Sequence, residues 1–457
     1  MSKTATKILL GYSNFTAEQQ DAISRLVEYD ETIMVASKGF GKAAIAQTAA
    51  QELIEEGVLT RVLVIAPPKV CSLTWAAEHE KWEQLWAPGM ADGIPASRED
   101  VIASNARIVV LSSELVDWFF NKYGSGHGFD GVVFDELTRW KAVGGKAFKA
   151  IRPHIGGFKW RVGLSATPVA EAGHHLYGQA LLIDGGKALG RNKERFMAKY
   201  FVPDYSGYKF TPQYMAEARM AEALRDIVYV AESSEYEKSL PPLHEEIVHV
   251  KMNDRGVDAY EELANTMLLE DEDVEAANAA VLAGKLQQVA SGFIYTDAGD
   301  TIHLHNCKYQ QLDDLLQAIN EPAMIVYQFR AELAILKAML PDAMVLAENP
   351  KKSLDAWNSG RCRYLLVHPR SAGHGVNAQH GGRVMIQLAP IWSADLHDQV
   401  IGRIWRRGQT QRVTRYTLVA DGTVDGVILQ RLADKNLSES VLMDHLRAVA
   451  SKKETPA

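Results

Sequence analysis

Residues 32–43 read Thr32-Ile-Met-Val-Ala36-Ser-Lys-Gly39-Phe-Gly41-Lys42-Ala43, an apolar run followed by a glycine-rich turn and the start of an alanine-rich segment. A strand, a turn and a helix in this order form the cradle that binds nucleotide phosphates. Glycines let the backbone approach the anion, the helix N-terminus presents its amide groups, and Lys42 adds positive charge between the β- and γ-phosphates. A surface turn is the alternative for so short a motif, but the flanking strand and helix favour the phosphate site.

Ala43 departs from this pattern. The residue after the lysine is normally serine or threonine, whose hydroxyl binds Mg²⁺. An alanine side chain has no ligand atom, although a water molecule can take the vacant position because Mg²⁺ readily keeps water ligands. If the chain hydrolyses a nucleotide at this site, we therefore expect the reaction to be slow and to require an unusually high Mg²⁺ concentration.

Short apolar runs alternate with helical patterns in two parts of the chain. Strands that are apolar throughout are typical of parallel sheets buried on both faces, and strand–helix alternation indicates such sheets. The predicted strands are 33–36, 62–66, 108–111, 132–135 and 161–165 in the first part, and 323–327, 343–346, 364–368, 384–387 and 415–419 in the second. The sequence therefore predicts an α/β fold with two parallel-sheet lobes.

The stretch between these two parts is richer in helical patterns and carries the acidic cluster 270–273. We interpret it as a helical insertion and linker. The expected domains are lobe one over residues 1–172, the insertion and linker over 173–305, lobe two over 306–440 and a C-terminal tail over 441–457.

Two carboxylates follow the predicted strand Gly131-Val-Val-Phe-Asp135-Glu136. In nucleotide hydrolases, a carboxylate at such a strand end holds Mg²⁺, usually through water, and a second one orients the attacking water. We assign the metal role to Asp135 and the water role to Glu136. Taken alone, the pair could be solvated acids at a strand end, but its place after a phosphate loop in the same alternating domain favours catalysis.

A basic segment near the C-terminus reads Gln399-Val-Ile-Gly-Arg403-Ile-Trp-Arg406-Arg407-Gly-Gln409. Arg403 and Arg406 are three residues apart, which places them on one face of a predicted helix over 394–405. A guanidinium group suits the negative charge that develops on a γ-phosphate, the role of an arginine finger. A basic helix facing solvent or DNA phosphates is the alternative, and Arg407 is the better candidate for DNA.

In this order, the segments resemble those of a Swi/Snf-type ATPase of helicase superfamily two. The matching stretches are 36–42 for motif I, with Gln19 upstream of it, 66–82 for motif Ia, 135–138 for motif II, 165–167 for motif III, 325–327 for motif IV, 373–377 for motif V and 399–409 for motif VI. Stretches 357–360, 368–369, 372–375 and 381–382 resemble the second lobe of the compact, phage-type subgroup. The chain departs from the pattern at Ala43 and at residues 138–140.

The resemblance implies two RecA-like lobes, ATP and Mg²⁺ in the cleft between them, double-stranded DNA across both, and translocation without strand separation. It implies roles for several residues: Gln19, Gly39, Gly41, Lys42 and Gly375 in ATP binding, Ser165, Thr167 and Gln399 in coupling, and Arg370, His374, Asn377 and Arg407 in DNA binding. For His374, shaping the backbone is an equal alternative.

The 457-residue chain has a net charge of −8, which alone does not suggest a nucleic-acid-binding protein. Residues 351–415, however, contain eleven lysines and arginines against three acidic residues. Such a local basic stretch can bind DNA phosphates within an acidic chain, although a solvated surface explains it as well. Three widely spaced cysteines fit a reducing compartment, and no apolar run approaches the ~20 residues that cross a bilayer. We therefore expect a cytoplasmic protein of a bacterium or a phage-infected host, not a membrane protein.

Three functions remain open from the sequence. The first is a DNA-dependent ATPase motor, which the acidic pair and the two arginines favour. The second is an ATP-gated DNA clamp with little hydrolysis, which Ala43 favours. The third is an accessory subunit that steers a separate nuclease or DNA-modifying protein. The sequence leaves the oligomeric state open.

Overall fold

A computed structural model of the protein describes residues 9–433, except 38, 92–93, 167–172, 204–209, 232–239, 270–275, 372–376 and 407. The chain forms two compact units that meet in sequence between residues 236 and 237. None of the helices in these described ranges combines the length and the apolar character needed to cross a membrane.

The first unit is built on a seven-stranded sheet in the order β3-β4-β2-β5-β6-β1-β9. All neighbouring pairs in it are parallel. Its strands are β1 (Glu31–Val35), β2 (Val62–Ala66), β3 (Gly89–Ala91), β4 (Ile108–Ser112), β5 (Gly131–Asp135), β6 (Trp160–Ser165) and β9 (Val228–Val230). Strands β7 (Phe201–Pro203) and β8 (Phe210–Pro212) form a separate, small antiparallel pair.

Strand β2 shows why this sheet forms. All five of its residues are buried. Leu63 and Ile65 pack into one hydrophobic cluster, whereas Val62, Val64 and Ala66 pack into another. Because successive side chains of a strand point to opposite faces, the sheet is covered on both sides. Each large aliphatic side chain buried in this way contributes roughly 1.5–3 kcal/mol.

The second unit contains a six-stranded sheet in the order β10-β17-β16-β13-β15-β14, again with all neighbouring pairs parallel. Its strands are β10 (Leu243–Val250), β13 (Ala323–Val326), β14 (Met344–Val345), β15 (Tyr364–Val367), β16 (Val384–Gln387) and β17 (Val413–Ala420). The antiparallel pair β11 (Phe293–Tyr295) and β12 (Thr301–His303) lies outside this sheet. Two parallel-sheet lobes of the RecA-like α/β type, as predicted, are therefore confirmed.

Helices connect the strands in both units. In the first unit they are α1 (Ala17–Glu28), α2 (Lys42–Glu55), α3 (Pro95–Ala103), α4 (Val116–Tyr123), α5 (Lys146–Ile151), α6 (Leu176–Asp184), α7 (Lys193–Tyr200) and α8 (Ala216–Leu224). In the second they are α9 (Asp254–Leu269), α10 (Ala276–Ala290), α11 (Cys307–Ile319), α12 (Arg330–Met339), α13 (Pro350–Asn358) and α14 (Ala394–Ile401), and residues 424–433 are also helical.

The expected boundaries at 172 and 306 differ from the observed organisation. Strand β9 pairs with β1, so the first unit continues well beyond residue 172. Strand β10 pairs with β17 over eight residues, so the second unit begins well before residue 306. Residues 173–305 are thus shared between the two sheets, with helices α9 and α10 in the second unit. The sequence did not reveal this because β9 has only three residues and β10 is largely exposed.

Candidate nucleotide site

The order of the strands in the first unit brings the predicted motifs together. Strand β6 lies between β1 and β5, with Val35 opposite Ser165 and Leu164 opposite Asp135. The carboxyl ends of parallel strands meet at one edge of a sheet, and ligands of such sheets bind outside that edge. The glycine-rich turn, Ser165 and the acidic pair therefore share one edge of the sheet.

The turn after β1 has the backbone of a phosphate loop. Gly39 and Gly41 have φ angles of 86° and 93°, in the left-handed region that glycine tolerates best. A Cβ atom at Gly41 would also lie only 3.0 Å from Nε2 of Gln19. Helix α2 begins directly afterwards at Lys42, and its first amide groups have no partner inside the helix. This combination favours anion binding.

The Lys42 side chain is hydrogen-bonded to the backbone of its own loop. Its Nζ donates hydrogen bonds to the carbonyl oxygens of Ala36 and Ser37, at 2.8 and 3.0 Å. Burial lowers the pKa of the Lys42 ammonium group, and the negative charges of Glu136 and Asp135 oppose that shift. The lysine and the two carboxylates therefore interact electrostatically, and a bound phosphate would replace the two carbonyl contacts.

The Gln19 side chain, on helix α1, is hydrogen-bonded to the phosphate loop. Its Nε2 donates to the carbonyl oxygen of Phe40 at 2.7 Å, and its Oε1 accepts from the backbone N–H of Thr16 at 2.9 Å. Thr16 caps helix α1 in return, because its Oγ1 accepts from the Gln19 N–H. The Gln19 side chain thus joins α1 to the loop, a role that the sequence did not suggest. The expected contact with adenine stays a prediction.

The acidic pair ends strand β5. Asp135 is buried, and its Oδ1 accepts from the Glu136 N–H at 3.0 Å while its Oδ2 accepts from Nε1 of Trp75 at 2.8 Å. Glu136 adopts a left-handed backbone conformation with φ of 55°. Such a conformation is uncommon for a residue other than glycine and is concentrated at functional sites. The sequence placed Trp75 in motif Ia but gave no sign of its contact with Asp135.

The surroundings of Asp135 suit a metal ion held through water better than a metal ion bound directly by several protein side chains. Among the residues that the structure describes, no group of three or more His, Cys, Asp or Glu side chains could hold a metal ion. Mg²⁺ commonly binds through one or two carboxylates together with substrate phosphates and water. Ala43 is buried and supplies no ligand atom. That Asp135 holds Mg²⁺ through water, with nucleotide oxygens as further ligands, stays a prediction.

The arginines of the second unit lie differently from our expectation. Helix α14 ends at Ile401, so Arg403 and Arg406 follow the helix and do not share a helical face. The Arg403 and Ile404 N–H groups donate to Val400 and Ile401 oxygens in tight three-residue turns, which end the helix early. Arg403 is buried, Arg406 is half-buried, and Gln399 is half-buried within α14.

The remaining predicted residues fall into three groups. Ser165 is buried, and its carbonyl oxygen accepts from the Ala36 N–H at 3.0 Å, which ties β6 to the start of the phosphate loop. Arg370 and Asn377 are exposed on the second unit. Four predicted residues lie outside the described part of the chain: Thr167, His374, Gly375 and Arg407.

Two family models match the chain. Residues 16–173 match the DEAD/DEAH box helicase family, and residues 307–408 match the helicase conserved C-terminal domain. The first match covers the phosphate loop, the acidic pair and Ser165. The second covers Gln399 and both candidate arginines.

Individual proteins and one solved structure are also similar to the chain. The chain is 28% identical over 448 residues to putative protein p41 of Acyrthosiphon pisum secondary endosymbiont phage 1, covering 93% of this chain and 97% of the relative. It is 25% identical over 153 residues to the DNA repair and recombination protein RAD54-like of Drosophila ananassae, covering 30% of this chain and 19% of that protein. A solved SWI2/SNF2 ATPase core from Sulfolobus solfataricus, in complex with double-stranded DNA, matches with 18% identity, 95% and 97% coverage of the two chains and a TM-score of 0.45.

Proposed function

We propose that the chain, which matches both helicase domain families, is a Swi/Snf-type ATPase of helicase superfamily two, a motor that hydrolyses ATP to translocate along double-stranded DNA. The observation that carries the proposal is the shared sheet edge, where the phosphate loop with Lys42 meets Asp135 and Glu136. A lysine, a metal-holding carboxylate and a water-orienting carboxylate are the parts that phosphoryl transfer to water requires.

In the proposed reaction, the substrate is ATP with its Mg²⁺. Lys42 exchanges its contacts to Ala36 and Ser37 for phosphate oxygens, and the first amides of α2 bind the same phosphates. Asp135 would hold the metal through water, and the metal would supply positive charge that offsets the charge developing on the phosphates. Glu136 orients the attacking water and accepts its proton.

Arg403 and Arg406 of the second unit supply positive charge to the γ-phosphate in this proposal. A guanidinium group stabilises the transition state more than the bound substrate, so it accelerates hydrolysis without being needed for ATP binding. Gln19 and Gly375 complete the nucleotide contacts, and Ser165, Thr167 and Gln399 couple hydrolysis to movement of the units.

DNA binding in the proposed motor depends on the basic stretch 351–415. Arg370 and Asn377 are exposed there, and His374 and Arg407 are the further candidates. Contacts to phosphates carry no sequence information, so we expect affinity that depends on salt and varies little with DNA sequence. The solved structural relative contains double-stranded DNA, and this is the DNA form we propose here.

We expect double-stranded DNA to stimulate ATP hydrolysis by the purified protein. Initial rates with no DNA, with a blunt duplex and with a single strand of equal length would measure this, with the Lys42→Ala variant as the control for contaminating ATPases. Stimulation by the duplex that falls as salt increases supports the motor. Equal rates with and without duplex would contradict it.

The clamp remains the second candidate because of Ala43. In contrast, no observation on this chain favours the accessory-subunit hypothesis, which requires a separate nuclease or DNA-modifying protein. A chain that binds ATP and DNA without measurable hydrolysis would be a clamp. The retained Asp135 and Glu136 favour the motor, because a clamp has no chemical use for a water-orienting carboxylate.

Ala43→Thr tests how the chain manages without the usual hydroxyl. Threonine restores a direct Mg²⁺ ligand, so we expect faster hydrolysis at limiting Mg²⁺ and a smaller gain at saturating Mg²⁺. The matched control is Ala43→Val, which has the shape of threonine without the hydroxyl. A Mg²⁺ titration in which threonine and valine behave alike would contradict the missing-ligand explanation.

A further inference from the structure

Trp75 is a buried tryptophan whose only polar atom points at a catalytic carboxylate. Its side chain is fully buried, and its Nε1 donates to Oδ2 of Asp135 at 2.8 Å. The two residues are 60 positions apart in the chain, so the fold brings them together. A hydrogen bond to an ionised acceptor is about twice as strong as one between neutral groups.

The backbone around Trp75 explains how the indole reaches this position. Residues Cys71–Trp75 form one wide π-type turn, in which the Ala76 N–H donates to the Cys71 carbonyl oxygen. Such turns occur mostly as single interruptions of α-helices, frequently at functional sites. The turn follows β2, which pairs directly with β5, with Ile65 opposite Phe134. The indole is therefore presented from the segment that follows β2, the strand next to the one that carries Asp135.

Both oxygens of the Asp135 carboxylate have donors in this arrangement. Oδ1 accepts from the Glu136 N–H and Oδ2 from the indole of Trp75. Two donors at fixed positions restrict rotation of the carboxylate plane, so its orientation is set before any ligand binds. Residues that orient a metal-holding group typically change metal affinity or activity by about 10–100-fold when they are replaced.

We propose that Trp75 is a positioning residue that fixes the Asp135 carboxylate for MgATP, an inference that rests on the nucleotide site proposed above. The absence of a hydroxyl at Ala43 increases the importance of this contact. One side of the metal then lacks its usual protein ligand, and correct placement depends more heavily on Asp135. In this proposal Trp75 acts through Asp135 and not by contact with the nucleotide.

The test compares Trp75→Phe with Trp160→Phe in the full chain. Both substitutions keep an aromatic ring and remove one indole N–H. Trp160 is the matched control because it is equally buried and its Nε1 donates at 2.8 Å to a backbone oxygen, that of Leu26. Binding of a fluorescent, non-hydrolysable ATP analogue is measured with EDTA and across a Mg²⁺ titration, and thermal melting checks that each variant is folded.

For Trp75→Phe we expect about a 10–100-fold higher Mg²⁺ requirement for tight analogue binding, with unchanged affinity in EDTA. Trp160→Phe should retain the parental Mg²⁺ dependence. An unchanged Mg²⁺ titration for Trp75→Phe, or equal shifts in both variants, would overturn the proposal. Because this readout needs neither DNA nor hydrolysis, it tests Trp75 even if the protein proves not to be a motor.

An Asp135→Asn background gives a second, independent measurement. If the indole acts through the carboxylate, adding Trp75→Phe to Asp135→Asn should cause little further change in the Mg²⁺ requirement. Additive effects of the two substitutions would contradict the proposal. Should Trp75→Phe not fold, the indole N–H resonance of Trp75 in the parent is followed instead. The chemical shift of this resonance should change when Mg²⁺ is added to the analogue-bound protein, and an unchanged chemical shift would overturn the proposal.

Discussion

Arg406→Ala is expected to bind ATP nearly as well as the parent and to hydrolyse it about 10³–10⁵-fold more slowly, the range typical of an arginine finger. Arg403→Ala should have the same effect. The loss should appear in kcat, because the guanidinium charge interacts most strongly with the γ-phosphate in the transition state. Single-turnover hydrolysis with saturating duplex DNA, alongside equilibrium binding of ATP, would separate the two effects.

The two arginines require different controls. Arg406 is half-buried, so its truncation disturbs packing less than that of Arg403, which is buried. Arg403→Lys should therefore be measured beside Arg403→Ala, because lysine keeps the charge but not the planar fork. Arg412 is exposed in the same region and gives the matched control, Arg412→Ala. Parental hydrolysis rates in both Arg403→Ala and Arg406→Ala would show that neither residue is a finger.

The core of both sheets could be predicted from the sequence because its signal is local. Runs such as 62–66 are apolar at every position, and a short run of this kind is typical of a strand covered on both faces. The phosphate loop could also be predicted from the sequence. Its backbone needs positive φ angles at positions 39 and 41, and both positions are glycines.

The parts that escaped prediction depend on pairing between distant segments. Strand β10 is mostly exposed and lacks a clear apolar pattern, and only its eight-residue register with β17 makes it part of a sheet. The Trp75–Asp135 contact and the Gln19 bridge likewise join residues that the chain separates. The early end of α14 was missed because turn-type hydrogen bonds replaced a helical pattern that continues in the sequence.

Glu136→Gln is expected to lower the rate of ATP hydrolysis by about 10²–10⁴-fold, the usual contribution of a group that accepts a proton from water. Glutamine has nearly the same size and shape, so it should tolerate the left-handed backbone of this position about as well as glutamate. The variant should therefore remain folded and bind DNA like the parent. Phosphate release under single-turnover conditions would measure the loss.

The ATP affinity of Glu136→Gln separates a catalytic role of Glu136 from a role in supporting the phosphate loop. The negative charge of Glu136 helps to keep Lys42 protonated against the effect of burial on its pKa, but it also repels the phosphates of ATP. When ATP is bound, its own phosphates support the lysine charge, so removal of the Glu136 charge should leave ATP affinity equal or higher. The control is Glu114→Gln, an exposed glutamate just after β4 at the same edge of the sheet. If Glu136→Gln hydrolyses ATP at the parental rate, another group orients the water; if it loses ATP binding instead, Glu136 supports the phosphate loop and the catalytic assignment is wrong.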